Sequence, residues 1–178
     1  KTFKLGGIHP AENKLSSMSP VEKLAIPATV SIPVSQALGA PSTPVVAKGD
    51  KVKAGTLIAA GNAFISANVH SSVSGTVQKI APVEDAGGYK KDAVIIKVEG
   101  DEWEDEVYTS PAVKKDVKDT REEIKEKIKG AGIVGMGGAC FPTHVKYMVP
   151  EGKKVDTLII NAVECEPYLT ADHRLLLE

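Results

Sequence analysis

Four prolines, Pro27, Pro33, Pro41 and Pro44, decide what the first part of this chain can become. A proline inside a helix removes a ladder hydrogen bond and collides with the preceding turn. Inside a sheet it is confined to edges and strand ends. The segments AIPATVSIPV and PSTPVV therefore exclude a helix and permit only short or edge strands. Brief apolar runs follow, at Val45-Val46, Val52, Leu57-Ile58-Ala59, Phe64-Ile65, Val69-His70, Val77 and Ile80. Gly, Asp, Asn and Ser separate them, a spacing that predicts an all-β unit. Asp85 to Gly88 is a turn, and Ala93 to Val98 is a further strand. The acidic run GDEWEDE at 100–106 is expected to be a solvated edge, with Trp103 covering the end of the β unit.

Residues 1–24 sustain no period of 2 or 3.6 and read as an arm that packs on something else. Lys4, His9 and Lys14 make either a basic edge or part of a solvated surface. The β unit then spans 25–108, and 109–118 is a linker opened by Ser110-Pro111. His70, alone in a strand, is expected to be structural rather than a ligand.

Beyond the linker the pattern changes. Thr120 and Glu123 form a capping-box signature, and Ile124 and Ile128 lie on one helical face. Glu123 and Lys127 are spaced for an ion pair, and Gly130 is the expected stop. A second helix is expected from Pro142 to Met148. The run VDTLIIN at 155–161 is expected to be a covered parallel strand, and a last helix spans 170–178. The order helix, loop, helix, strand, loop, helix predicts α/β for residues 119–178. Leu175-Leu176-Leu177 need a core that one strand does not supply, so this region is expected to be part of a larger domain. The fold class is thus mixed α+β: an all-β unit followed by a truncated α/β domain.

Between the first two helices lies GIVGMGGACFPTHVK, residues 132–146. Its dense glycines allow positive φ and close approach of a ligand to the backbone. Ahead of a helix N-terminus such a loop suits an anion, which suggests a phosphate-bearing cofactor. The alternative is a plain glycine-rich turn. The common phosphate templates do not fit: no Gly-Lys-Ser or Gly-Lys-Thr occurs, and Gly135-x-Gly137 lacks the third glycine of the dinucleotide fingerprint. A second cluster, Asn161, Glu164 and Glu166, follows the expected strand, on the edge where α/β sheets bind ligands. Lys146 suits a phosphate, Phe141 suits stacking, and the carboxylates suit sugar hydroxyls or ring N–H groups. Paired glutamates also suit acid–base work or a metal, yet no His or third carboxylate has ligand spacing apart from Asp172-His173. No catalytic or metal-ligating residue is assigned.

Bulk numbers close off other classes. With 22 basic and 23 acidic residues and a net charge of -1, nothing favours nucleic acid or a membrane surface. Aromatics at 4% leave no stacking platform for single strands. No apolar run approaches the ~18 residues of a membrane span. KTFKLGGIHP has no secretory-signal pattern, so a cytoplasmic location is expected, with any membrane link coming through a partner. Cys140 and Cys165 fit neither a disulfide framework nor paired metal-ligand spacing.

Two resemblances add to this reading. Gly49-Asp50-x-Val52-x-x-Gly55 followed by Ser74-Gly75-Thr76-Val77 resembles the two halves of a biotinyl/lipoyl-type barrel-sandwich hybrid. The carrier lysine of that family would fall near Ile65–Asn68, where this chain reads ISAN, so the shape is expected without the carrier chemistry. GMGGACFPTHVK with LIINAVECEPYLTADHRLLLE resembles the FMN- and NADH-binding fold of the 51-kDa subunit of respiratory complex I. Together with FKLGGIHPAENK and IPVSQALGAPSTPVVAKGDKVKAGTLI it is similar to the RnfC family of the Rnf ion-translocating electron-transport complex, over nearly the whole chain.

That resemblance implies electron exchange between NADH and ferredoxin through FMN and iron–sulfur clusters, coupled to Na⁺ or H⁺ transport by membrane partners. It implies that Gly135, Gly137, Gly138 and Lys146 hold FMN, that Asn161 and Glu164 line the flavin, that Phe141 stacks the NADH adenine and that Glu166 binds its ribose. Two [4Fe–4S] clusters are expected only beyond Glu178. The partners are the other Rnf subunits and ferredoxin, and the location is peripheral, on the cytoplasmic face of the bacterial inner membrane. Cys140 stands where the family more often has Gly, and Val163 where the complex I relative has Asp. A cobalamin reductase of the same superfamily and a non-catalytic docking module are the competing functions.

Overall fold

A computed structural model describes residues 10–85, 87–110, 112 and 115–178. Gly6-Gly7, Lys4, His9 and Pro111, singled out above, lie outside the described residues. The chain divides into two compact units, Ile26–Lys153 and a second that joins Lys1–Ala25 to Lys154–Glu178.

Ile26–Lys153 opens with seven strands: β1 (Thr29–Pro33), β2 (Thr43–Pro44), β3 (Lys51–Val52), β4 (Leu57–Ala60), β5 (Val69–His70), β6 (Gly75–Glu84) and β7 (Lys90–Val98). They form a four-stranded antiparallel sheet, β1-β7-β6-β3, and a three-stranded one, β2-β4-β5. As expected, the proline-bearing strands β1 and β2 are edges, where a missing N–H costs no ladder bond. The inner faces of both sheets meet in one core of Ile32, Val34, Val52, Ile58, Ala59, Val69, Val77, Val94 and Ile96. In β7 the residues Ala93, Val94 and Ile96 are buried, and a bulge after Val77 turns Lys79 and Ile80 of β6 outward. Two antiparallel sheets over a shared core make a sandwich, in agreement with the all-β expectation. Trp103 bridges Ala54 through its backbone, but its side chain stays half-exposed.

Helix α1 (Arg121–Gly130) carries the expected capping box, with both reciprocal bonds formed. Glu123 is committed to that cap, so the expected Glu123–Lys127 pair does not form; Lys127 Nζ reaches Asp119 at 2.7 Å instead. The stop lies two residues later than expected. Gly132 takes φ +67°, Ile133 N–H donates to the Ile128 carbonyl at 3.2 Å, and Gly132 N–H to that of Lys129 at 3.0 Å. This is the paired 6→1 and 5→2 pattern of a left-handed glycine cap. Helix α2 is a single turn, Thr143–Lys146, shorter than the expected Pro142–Met148.

In the second unit helix α3 spans Ala171–Leu177. The expected strand at 155–161 does not form. Val155, Leu158, Ile159 and Ile160 are all more than 60% exposed. A strand is a pairing rather than a local conformation, and among the described residues no segment pairs with this one. The α/β sheet expected for 119–178 is therefore absent from the described residues. Residues 10–24 pack on the C-terminal segment: Lys14 Nζ donates to the Glu166 and Leu169 carbonyls at 2.9 and 2.8 Å, and Ser16 Oγ lies 2.7 Å from Thr170 Oγ1. Lys14 is thus tied to backbone carbonyls rather than aligned along a basic edge.

Candidate functional site

The glycine loop is built as a closed finger. Its two shoulders pair: Val134 bridges Pro142, Gly135 N–H donates to the Phe141 carbonyl at 2.9 Å, and Thr143 N–H to that of Ile133 at 2.9 Å. Buried Pro142 has no N–H to lose in this ladder and starts α2 with φ preset. The tip, Met136 to Cys140, projects beyond the paired shoulders. Nothing lies within 4 Å of the position a Cβ would take on Gly137 or Gly138, so backbone is open to a ligand there. Cys140 adopts φ +50°, a conformation that costs a side-chain-bearing residue but not glycine. That backbone fits its standing at a position where the resembled family more often has Gly.

Lys146, at the end of α2, folds back over the loop. Its ammonium nitrogen occupies the volume that a Cβ on Gly135 would fill. The loop thus presents a cradle roofed by one cation, and a phosphate group fits that donor set. The anion attraction does not come from a helix dipole, as the sequence suggested, because α2 is one turn long and lacks a side-chain N-cap. Phe141 is half-buried, with its carbonyl spent on closing the finger.

Asn161, Glu164 and Glu166 belong to the other compact unit. Asn161 Oδ1 accepts from the Val163 N–H at 3.1 Å, a local turn. Glu164 Oε1 accepts from the His173 N–H at 3.1 Å, so this carboxylate caps the first turn of α3, for which Thr170 supplies no cap bond. The Glu166 side chain is exposed, and its carbonyl holds Lys14. The structure therefore brings together Gly135, Gly137, Gly138, Phe141 and Lys146 in one finger, and gives Asn161 and Glu164 local structural partners.

Sequence reasoning passed over two residues near the finger. His144 of α2 is 4% exposed; burial, helped by the Lys129 ammonium, holds its imidazole below the ordinary histidine range and hence neutral. Asn68 reaches α1 from the β unit, with Nδ2 donating to the Gly130 carbonyl at 3.1 Å. No local pattern announces either contact, since both depend on tertiary packing. His70 lies in β5, and burial lowers its pKa as well, as suits a structural strand residue. Among the described residues no three His, Cys, Asp or Glu side chains group to hold a metal, and no helix is long and apolar enough to cross a membrane.

Comparison with known proteins agrees with the two-part reading. Residues 1–101 match the family model described as the RnfC barrel sandwich hybrid domain, and residues 128–178 that described as the Nuo51 FMN-binding domain. The chain is 49% identical over 181 residues to the RnfC-type component of a proton-translocating ferredoxin:NAD(+) oxidoreductase complex of Clostridium ljungdahlii, with all of this chain and 38% of that protein aligned. It is 44% identical over 176 residues to a Na(+)-translocating counterpart in Acetobacterium woodii, covering 98% of this chain and 39% of the relative. The corresponding component of an ion-translocating oxidoreductase complex of Rhodobacter capsulatus is 40% identical over 179 residues, or 97% of this chain and 33% of the relative. The chain therefore spans well under half the length of the curated relatives it matches. With a sandwich of the matching kind in front and the glycine finger within the FMN-domain match behind, the chain belongs to the RnfC family.

Proposed function

We propose that this chain forms the FMN-cradling part of a subunit that passes electrons between NADH and ferredoxin. The observation that carries this reading is the finger itself, with Lys146 Nζ lodged against side-chain-free Gly135 and open backbone at Gly137 and Gly138. In it Lys146 neutralises the FMN phosphate, and the loop backbone approaches the phosphate and ring. When bound, FMN supplies the hydride chemistry of the nicotinamide and hands electrons on singly; the protein contributes orientation and electrostatics. Phe141 stacks the NADH adenine. Asn161 and Glu164 are assigned to the flavin and Glu166 to the NADH ribose, assignments that rest on the family resemblance alone. Iron–sulfur clusters, the other subunits of the complex and ferredoxin complete the electron path. Ion translocation and a peripheral place on the cytoplasmic face of the inner membrane belong to the same proposal.

Titration of the full-length protein with FMN and then NADH tests it. Binding of one FMN and bleaching of its visible absorbance by NADH is the expected result. A protein that assembles into its membrane complex without retaining FMN or bleaching would leave a docking role for the sandwich instead.

A further inference from the structure

The β unit reaches the glycine finger at both of its shoulders. At the first, Asn68 Nδ2 donates to the Gly130 carbonyl at 3.1 Å, one of the carbonyls a helix end leaves unpaired. The same side chain is fixed from behind, because its Oδ1 accepts from the Gly61 N–H at 3.0 Å. A Cβ on Gly132 would overlap the Asn68 carbonyl oxygen, so the helix cap and the sandwich are in backbone contact there. At the second shoulder, Leu38 N–H donates to the Cys140 carbonyl at 3.1 Å. The segment that carries Leu38 is held in turn: Ala40 N–H donates to the Ile65 carbonyl at 3.0 Å, and Gly39 leaves no room for a side chain beside that carbonyl. Both clamping segments thus converge on the 61–68 turn between β4 and β5. The tip between the shoulders, 136–139, is left free.

We infer that the turn at 61–68, with Asn68 as its positioning residue, clamps the glycine finger in the shape that receives the phosphate of the cofactor. The sandwich is then a rigid mount for the cradle. This rests on the FMN reading above for its ligand, but the clamp itself is a property of the chain without ligand. The physical case is one of pre-organisation. A glycine-rich loop has many conformations to lose on binding, and fixing both shoulders removes most of that loss beforehand. Neutral Asn68 suits the place better than a charged group, since it must accept on one side and donate on the other.

The test uses the full-length protein and three variants. Asn68→Asp keeps the acceptor for Gly61 and loses the donor to Gly130. Gly132→Ala forces the two backbones apart. Glu99→Gln removes a contact of the sandwich far along the chain from the finger, where Glu99 holds Lys51 and Thr76, and serves as the control for general loosening. Hydrogen exchange at the Gly135 and Thr143 amides in the cofactor-free protein is expected to accelerate about tenfold in Asn68→Asp, the scale of one lost hydrogen bond. It is expected to be unchanged in Glu99→Gln. FMN dissociation constants are expected to rise by a similar factor in Asn68→Asp and Gly132→Ala alone. Unchanged exchange in Asn68→Asp, or equal acceleration in Glu99→Gln, overturns the clamp. Faster exchange with unaltered FMN affinity overturns its positioning role. Absence of FMN binding in the unmodified protein refutes the functional reading, and the exchange arm still decides the clamp.

Discussion

Lys146 and Gly135 share one small volume, and the absence of a single methyl group permits it. That economy makes the glycines of the finger separable by experiment. Gly135 has no space for a side chain, whereas Gly137 has open space and needs no positive φ. Gly137→Val is therefore expected to fold normally yet lose FMN affinity by roughly two orders of magnitude, because a branched side chain blocks close backbone approach. Flavin fluorescence titration beside a thermal melt reads both quantities, and unchanged affinity would move the phosphate away from the tip. A second residue-scale prediction concerns acid. Glu99 accepts from Lys51 Nζ at 2.6 Å and Thr76 Oγ1 at 2.9 Å, with Lys97 at 3.5 Å, and these contacts, Lys51 foremost, pull its carboxyl from near 4.5 down to about 2. A depressed carboxyl adds stability that is present above its unfolded value and is lost as pH falls through the folded one. The chain is expected to weaken between pH 4.5 and about 2. In Glu99→Gln the slope of urea midpoint against pH in that window should be shallower; an identical slope would mean that the contact carries no linkage.

Elements differ in how far their own residues determine them. Helix α1 was legible because its signals are local: Thr120, Glu123 and the isoleucine spacing all act within one or two turns. It buries no residue fully, so its cap carries unusual weight. Thr120→Ala is expected to lower the local opening free energy of α1 by about 1 kcal/mol. The melting midpoint of the sandwich, which does not share that cap, should stay in place. Amide exchange along 124–130 measures the first and near-ultraviolet melting the second. Segment 155–161 is the opposite case. Its apolar run satisfies the composition of a covered strand, yet a strand exists only against a neighbour, and its residues remain exposed. The finger was legible as a glycine loop but not in its shape. The ladder joining Ile133–Gly135 to Phe141–Thr143, the fold-back of Lys146 and the clamp from Asn68 are contacts between segments, which spacing does not encode. Likewise, Glu164 was read as a ligand group because carboxylates beyond a strand suit one, whereas its oxygen caps α3.

At the scale of the molecule, apolar burial is concentrated in one place. Every buried hydrophobic residue of the core among those described, from Ile32 to Ile96, lies in the two sheets or the turns that join their strands. In the unit that joins residues 10–25 to Lys154–Glu178, buried Thr170 is polar, and Leu175, Leu176 and Leu177 are more than 60% exposed. Since burial of apolar area is the main favourable contribution to folding, the two units should differ sharply in stability. Residues 26–153 hold both sheets, α1 and the finger, and none of the core residues lies outside them. Expressed alone, that segment is expected to unfold in one cooperative step. Its midpoint should fall within about 5 °C of that of the 178-residue chain, a displacement that corresponds to ~1 kcal/mol in a domain of this size. In the 178-residue chain the amides of 155–161 should exchange almost as fast as in an unstructured peptide, while those of Ile58 and Ile96 persist to the global limit. Protection at 155–161, or a segment 26–153 that melts without cooperativity, would show that the stability of the sandwich draws on the second unit.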